Sequence, residues 1–173
     1  ASGGSSSGSA IAMACGLVSF ALGTDTAGSG RIPAAFNGLT GSKLTRGLIS
    51  TSGVVPACRS LDCVSLFTRN ARDAALIASI ATTMDDRDPF ARPNLSANAF
   101  TRFGRWSGKL TLGVIRPEQL QFFGDDAYAD AYQRTLDALS NRGVNLQPID
   151  FSPFQRAAAQ LYEGPWVAER FLA

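Results

Sequence analysis

Gly23-Thr24-Asp25-Thr26-Ala27-Gly28-Ser29-Gly30-Arg31 and, ahead of it, Gly3-Gly4-Ser5-Ser6-Ser7-Gly8 are two serine-bearing glycine loops, parted by one apolar stretch. Ser9 to Leu17 is rich in small residues and reads as a short buried helix, with Ser9 placed to cap it and Gly16 to close it. Val18 to Leu22 then reads as a buried strand that runs straight into the second loop. The order loop, helix, strand, loop can bring both loops to one sheet edge. Ile32 to Phe36, with Pro33 near its first turn, opens another short helix.

Further along, residues 38–63 are full of Gly, Ser, Thr and Pro with isolated apolar pairs such as Val54-Val55, a pattern of loops and short strand pieces. Asn70 or Asp73 begins a helix whose apolar face (Ala74, Ala75, Ile77, Ala78, Ile80) ends near Met84. Asp85 to Asn98, with Pro89 and Pro93 among charges, is a surface loop. Lys109–Ile115 reads as a strand, Asp125–Leu139 as a helix stopped by Gly143, and Val144–Ile149 as a second strand. A strand, helix and strand of this size is the unit of a parallel sheet with helices on its faces. Phe154 to Phe171 is a last helix, bent or interrupted at Gly164-Pro165.

Composition narrows the function. With 173 residues, 45% of them apolar, the chain is one domain or a piece of a larger one. Sixteen basic against 14 acidic residues leave a charge of +2, and the arginines are scattered, which argues against nucleic acid. Cys15, Cys58 and Cys63 form no Cys-x-x-Cys pair and the chain has no histidine, so neither a zinc site nor a disulfide framework is suggested and no cofactor is implied. Reduced thiols fit a cytoplasm, and buried roles suit Cys58 and Cys63 as packing suits Trp106 and Trp166. The longest apolar stretch, Ala10 to Leu22, is broken by Gly16 and Ser19 and is too short for a bilayer. No leader opens the chain, which starts on a glycine-serine loop with nothing before it to anchor it, so a fragment is expected.

A serine hydroxyl is a poor nucleophile until a base takes its proton. Without histidine the acceptors left are a neutral lysine, a carboxylate, or a relay through another hydroxyl, and Ser5, Ser6 and Ser7 supply hydroxyls for a relay to Ser29. Gly28 and Gly30 let the backbone around Ser29 turn sharply, so that the amides from Thr26 to Ser29 can converge on one point. A nest of that kind suits an oxyanion, each donor contributing about 3 kcal/mol or more to the transition state. Taken singly, the same loops suit a tight turn before a helix and a flexible linker.

Together, Gly3-Gly4-Ser5-Ser6-Ser7-Gly8 and Gly23-Thr24-Asp25-Thr26-Ala27-Gly28-Ser29-Gly30-Arg31-Ile32-Pro33-Ala34 resemble the amidase signature family, including its spacing from Ser5 to Ser29. The resemblance implies an α/β fold, a mixed and mostly parallel sheet flanked by helices. It also implies a Ser–cisSer–Lys triad, in which Ser29 is the nucleophile and Ser5, held by a cis peptide, passes its proton to an unprotonated lysine. The oxyanion hole would be the amides of Thr26, Ala27, Gly28 and Ser29, with Asp25 and Arg31 bracing the loop. The family's lysine lies upstream of the first loop, so residues 1–173 are expected to be a partial domain lacking it. Lys43, in Gly41-Ser42-Lys43-Leu44-Thr45-Arg46-Gly47, corresponds to a structural lysine; Leu44 stands where relatives carry proline and Ala27 where glycine is common.

Within the family, Ser52 to Ser65 is similar to the version found in allophanate hydrolases, including the hydrolase part of urea amidolyase. Leu161 to Arg170 resembles the segment by which those enzymes hold substrate, with Tyr162 and Arg170 at the matching positions. Allophanate carries a carboxylate, and a guanidinium can grip one through two parallel hydrogen bonds. The resemblance further implies a homodimer in the full-length form and a link to a biotin-dependent urea carboxylase.

Overall fold

A computed structural model describes residues 1–95 and 108–172. Trp106 and the end of the expected loop at Asn98 lie outside the described residues. The chain forms two compact units, one of residues 1–103 with 168–173 and one of residues 104–167.

The first unit is built from α1 (Ser7–Ala14), β1 (Ala21–Thr24), α2 (Arg31–Phe36), β2 (Thr40–Lys43), β3 (Val64–Thr68) and α3 (Ala71–Ala81). Helix α1 follows Ser6, and Ser9, expected to cap it, instead donates its hydroxyl to the Leu22 carbonyl at 2.7 Å. Gly16 closes the helix as expected, in the left-handed region at φ +72 that suits glycine. Strand β1 begins at Ala21, later than the apolar pattern suggests, because Leu17, Val18 and Phe20 remain exposed. Helix α3 starts where Asn70 accepts the Asp73 amide at 2.9 Å and ends at Ala81, ahead of the expected Met84.

Strand β3 is the centre of the sheet, with order β1-β3-β2 and every residue from Val64 to Thr68 buried. Leu66 pairs with Leu22 on one side and Ser42 on the other. Both pairings are antiparallel, which corrects the expectation of a mostly parallel sheet for this unit. The reason is in the connections: β2 returns to β3 through turns without a crossover helix, whereas β1 and β2 run the same way on either side of β3 and are joined through α2. Ala10, Met13, Ala34 and Phe67 form the core between α1, α2 and the sheet, and Ala74 and Ala78 of α3 are buried too.

The second unit holds β4 (Thr111–Ile115), α4 (Asp126–Ser140), β5 (Asn145–Ile149) and α5 (Ser152–Glu163). Here the strands are parallel, Thr111 opposite Asn145 and Ile115 opposite Ile149, as the strand, helix, strand pattern requires. Asp125 caps α4 by accepting the Tyr128 amide at 2.8 Å. The expected break at Gly164-Pro165 separates α5 from α6 (Trp166–Leu172), whose later residues, from Ala168, belong to the first unit. No described helix is long and apolar enough to cross a membrane.

Candidate active site

The two glycine loops meet. The Ser6 amide donates to the Ser29 carbonyl at 3.1 Å, which joins the residue after Ser5 to the residue expected to act as nucleophile. Ser6 also ties the first loop to the end of β1: its hydroxyl accepts the Thr24 amide at 3.1 Å and donates to the Thr24 carbonyl at 3.2 Å. That close approach explains Gly23, where a Cβ would lie 2.7 Å from Ser6 Oγ and 2.8 Å from the Phe67 ring. The Gly4–Ser5 peptide is cis, the geometry that the resemblance implies for the bridging serine. Ser5 is exposed and Ser29 half-buried.

Asp25 shapes the second loop from beneath. It is fully buried, and its carboxylate accepts the Gly28 amide at 2.7 Å, the Arg31 amide at 3.0 Å, and Arg31 Nε and Nη2 at 2.9 and 3.0 Å. Burial alone would raise its affinity for a proton, but the Arg31 and Gly28 hydrogen bonds outweigh burial and hold the carboxyl well below the usual carboxylate range. Lys43, from β2, adds its ammonium at 3.5 Å from Asp25 Oδ1 and donates to the Thr26 carbonyl at 3.2 Å. Gly30 sits directly over Ser65 of β3, whose buried hydroxyl has no partner among the described residues, and a Cβ at Gly30 would collide with it.

Of the four amides expected to form an oxyanion hole, that of Gly28 is directed to Asp25. The amides of Thr26, Ala27 and Ser29 have no hydrogen-bond acceptor among the described residues. Main-chain donors of this kind suit an anion.

Asp62 is a site residue that the sequence reading passed over. It is 5% exposed, accepts the Thr26 hydroxyl at 2.5 Å, and holds the preceding turn through the amides of Ala57 at 2.9 Å and Cys58 at 3.0 Å. An acidic residue in a stretch of small and apolar neighbours (Ser60-Leu61-Asp62-Cys63-Val64) was the available signal. Cys58 and Cys63 are buried, and burial pushes both thiols up, away from nucleophilic thiolate. Among the described residues no group of three or more acidic or thiol side chains is arranged to hold a metal ion.

The expected substrate residues fall in different units. Tyr162 is on α5 of the second unit and 70% exposed, while Arg170 is on the part of α6 that belongs to the first unit, and is exposed. Beside Arg170, Glu169 accepts both the amide and the hydroxyl of Ser60, at 2.6 and 2.5 Å.

Comparison with known proteins adds independent findings. Residues 1–173 match the family described as Amidase. The chain is 46% identical over 173 residues to a urea amidolyase of Saccharomyces cerevisiae, an alignment covering 99% of this chain and 9% of that protein. Its fold is similar to that of a Kluyveromyces lactis allophanate hydrolase, with a TM-score of 0.86 and 40% identity, covering 99% of this chain and 27% of the other. A peptide amidase from Stenotrophomonas maltophilia is similar at a TM-score of 0.72 and 29% identity, covering 93% of this chain and 34% of that one.

Proposed function

The chain belongs to the amidase family, and from that membership we propose that it forms the nucleophile-bearing part of an amide hydrolase that acts on allophanate. Ser29 Oγ attacks the terminal amide carbonyl. Ser5 accepts the Ser29 proton and hands its own to a neutral lysine. The oxyanion that forms lies against the amides of Thr26, Ala27 and Ser29, with Gly28 held in place by Asp25. Collapse of the tetrahedral adduct expels ammonia, which takes its proton back along the same relay, and water then releases the acyl group from Ser29. The unstable carboxylated product decomposes to ammonia and carbon dioxide.

The observation that carries this reading is the backbone joint between Ser6 and Ser29, which holds the two serine loops together. Neither lysine of the chain suits the base. Lys43 is engaged by Asp25 and the Thr26 carbonyl, and Lys109 matches no lysine of the family's signature. The base is therefore assigned to a lysine ahead of Ser5 in the intact protein, and the 173-residue chain alone is expected to release no ammonia. Tyr162 and Arg170 are assigned to substrate, with the Arg170 guanidinium gripping the allophanate carboxylate. The intact protein is read as a cytoplasmic homodimer working with a biotin-dependent urea carboxylase, and the similarity to urea amidolyases supports the last of these, the link to the carboxylase.

Labelling of the intact protein with a serine-directed fluorophosphonate tests the nucleophile: wild type should carry the adduct on Ser29, and Ser29→Ala should carry none. An adduct elsewhere, or turnover surviving in Ser29→Ala, would refute the assignment. Arg170→Met tests the substrate, since it should raise KM for allophanate while an amide without a carboxylate is turned over as before.

A further inference from the structure

We propose that Ser60 and Glu169 form a positioning latch that sets Arg170 relative to the nucleophile loop, so that the grip on an anionic substrate depends on a bond made beside the guanidinium. The proposal rests on the reading of Arg170 as the residue that holds the substrate carboxylate.

The latch is a two-point contact. The Ser60 amide donates to Glu169 Oε1 at 2.6 Å and the Ser60 hydroxyl to Oε2 at 2.5 Å. Two parallel hydrogen bonds to one carboxylate fix orientation as well as distance. Successive residues of a helix are rotated by about 100°, so fixing Glu169 fixes the rotation of α6 and the direction in which Arg170 leaves it. The hydrogen bonds from Ser60 hold the Glu169 carboxyl below its ordinary range, so the acceptor is ionised at neutral pH.

The other end of the latch is equally constrained. Ser60 lies in a turn in which the Leu61 and Asp62 amides both donate to the Cys58 carbonyl, at 2.8 and 2.7 Å. Asp62 closes that turn on itself through Ala57 and Cys58 and, with its Oδ1, accepts the hydroxyl of Thr26. Immediately afterwards the Cys63 carbonyl accepts the Asp25 amide at 2.8 Å. A continuous set of short hydrogen bonds thus runs from the loop that bears Ser29, through Asp62 and the Ser60 turn, to the residue preceding Arg170.

The test uses the intact enzyme and compares Glu169→Gln, Ser60→Ala, Ser60→Thr and Arg170→Met. Ser60→Ala and Glu169→Gln should each raise KM for allophanate about tenfold with kcat little changed, and the rate of fluorophosphonate labelling at Ser29 should stay at the wild-type value. Ser60→Thr, which keeps both donors, should restore the wild-type KM even if the Glu169 variant fails to fold. A normal KM in Ser60→Ala, with Arg170→Met strongly impaired, would overturn the latch and leave the substrate reading standing. A normal KM in Arg170→Met would overturn the substrate reading and the latch with it. Loss of Ser29 labelling in parallel with the KM rise would show a general structural role and would also overturn the latch.

Discussion

Replacing Asp25 by asparagine removes the charge under the second glycine loop, which bears the proposed nucleophile, while keeping the shape of the side chain. Each carboxylate oxygen accepts one backbone amide and one guanidinium nitrogen: Gly28 N and Arg31 Nη2 at Oδ1, Arg31 N and Arg31 Nε at Oδ2. Asparagine keeps one acceptor oxygen, so whichever way the amide turns, one backbone donor and one guanidinium donor lose their partner. A buried hydrogen bond to a charged group contributes about 1.5–3 kcal/mol. The Arg31 side chain is 54% exposed, so solvent screens its share, which falls to about 0.5 kcal/mol. The sum is about 3 kcal/mol, and urea unfolding of the intact enzyme at pH 7 should show a loss of that size. Labelling of Ser29 should fall at least roughly tenfold, because Gly28, next to Ser29, loses its anchor or faces a repelling amide. The pH dependence has a definite sign. Asp25 binds its proton more weakly in the folded state than in the unfolded one, so its contribution is complete above about pH 4 and is lost as pH falls through the lower folded value. The difference between wild type and Asp25→Asn should therefore be constant from about pH 5 to 8 and narrow in stronger acid. A loss below about 1 kcal/mol with undiminished labelling would refute the role given to Asp25.

Three further outcomes can be checked. Gly23→Ala should destabilise the protein by about 1–3 kcal/mol, since the added methyl meets Ser6 and the Phe67 ring; an unchanged unfolding midpoint would contradict the packing described. Ser65→Ala should leave stability unchanged or raise it by up to about 1 kcal/mol, because it deletes a buried hydroxyl with no partner among the described residues, and a clear loss in calorimetry would mean that the hydroxyl is satisfied. Among the three cysteines, Cys15 should react with a thiol reagent in the native enzyme at about pH 8, whereas Cys58 and Cys63 should react only on unfolding, as peptide mass spectrometry would reveal.

The parts legible in the sequence were those whose signals are local. Asn70 and Asp125 cap their helices as their positions suggest, Gly16 and Gly143 adopt positive φ after α1 and α4, and Gly164-Pro165 separates α5 from α6. The loop-to-loop meeting was legible because the intervening stretch has room for only a short helix and strand. Strand β3 was not assigned, because Val64-Ser65-Leu66-Phe67-Thr68 is covered on both faces and so lacks the alternation that marks a half-buried strand, while Ser65 and Thr68 interrupt its apolar run. The antiparallel order of the first sheet was hidden for the same reason: without its central strand there was nothing for β1 and β2 to pair with. Asp62 carried a local signal, an acid among small and apolar neighbours, but its partner Thr26 is distant in the chain, and Glu169 could not be read because its partner Ser60 is distant and nothing local announces it.

The placement of β3 also bears on how the protein is made. Both serine loops leave the ribosome before Val64–Thr68, yet among the described residues the end of β1 that carries the second loop pairs with that later strand, and Asp25 is anchored to Cys63 just ahead of it. During synthesis the second loop is therefore for a time without its contacts to β3 and Cys63, with Phe67 not yet there to cover Met13 and Ala34. Chaperone binding and vulnerability to proteases should concentrate in that interval, and the nascent chain should become resistant once residues through Thr68 have cleared the exit tunnel.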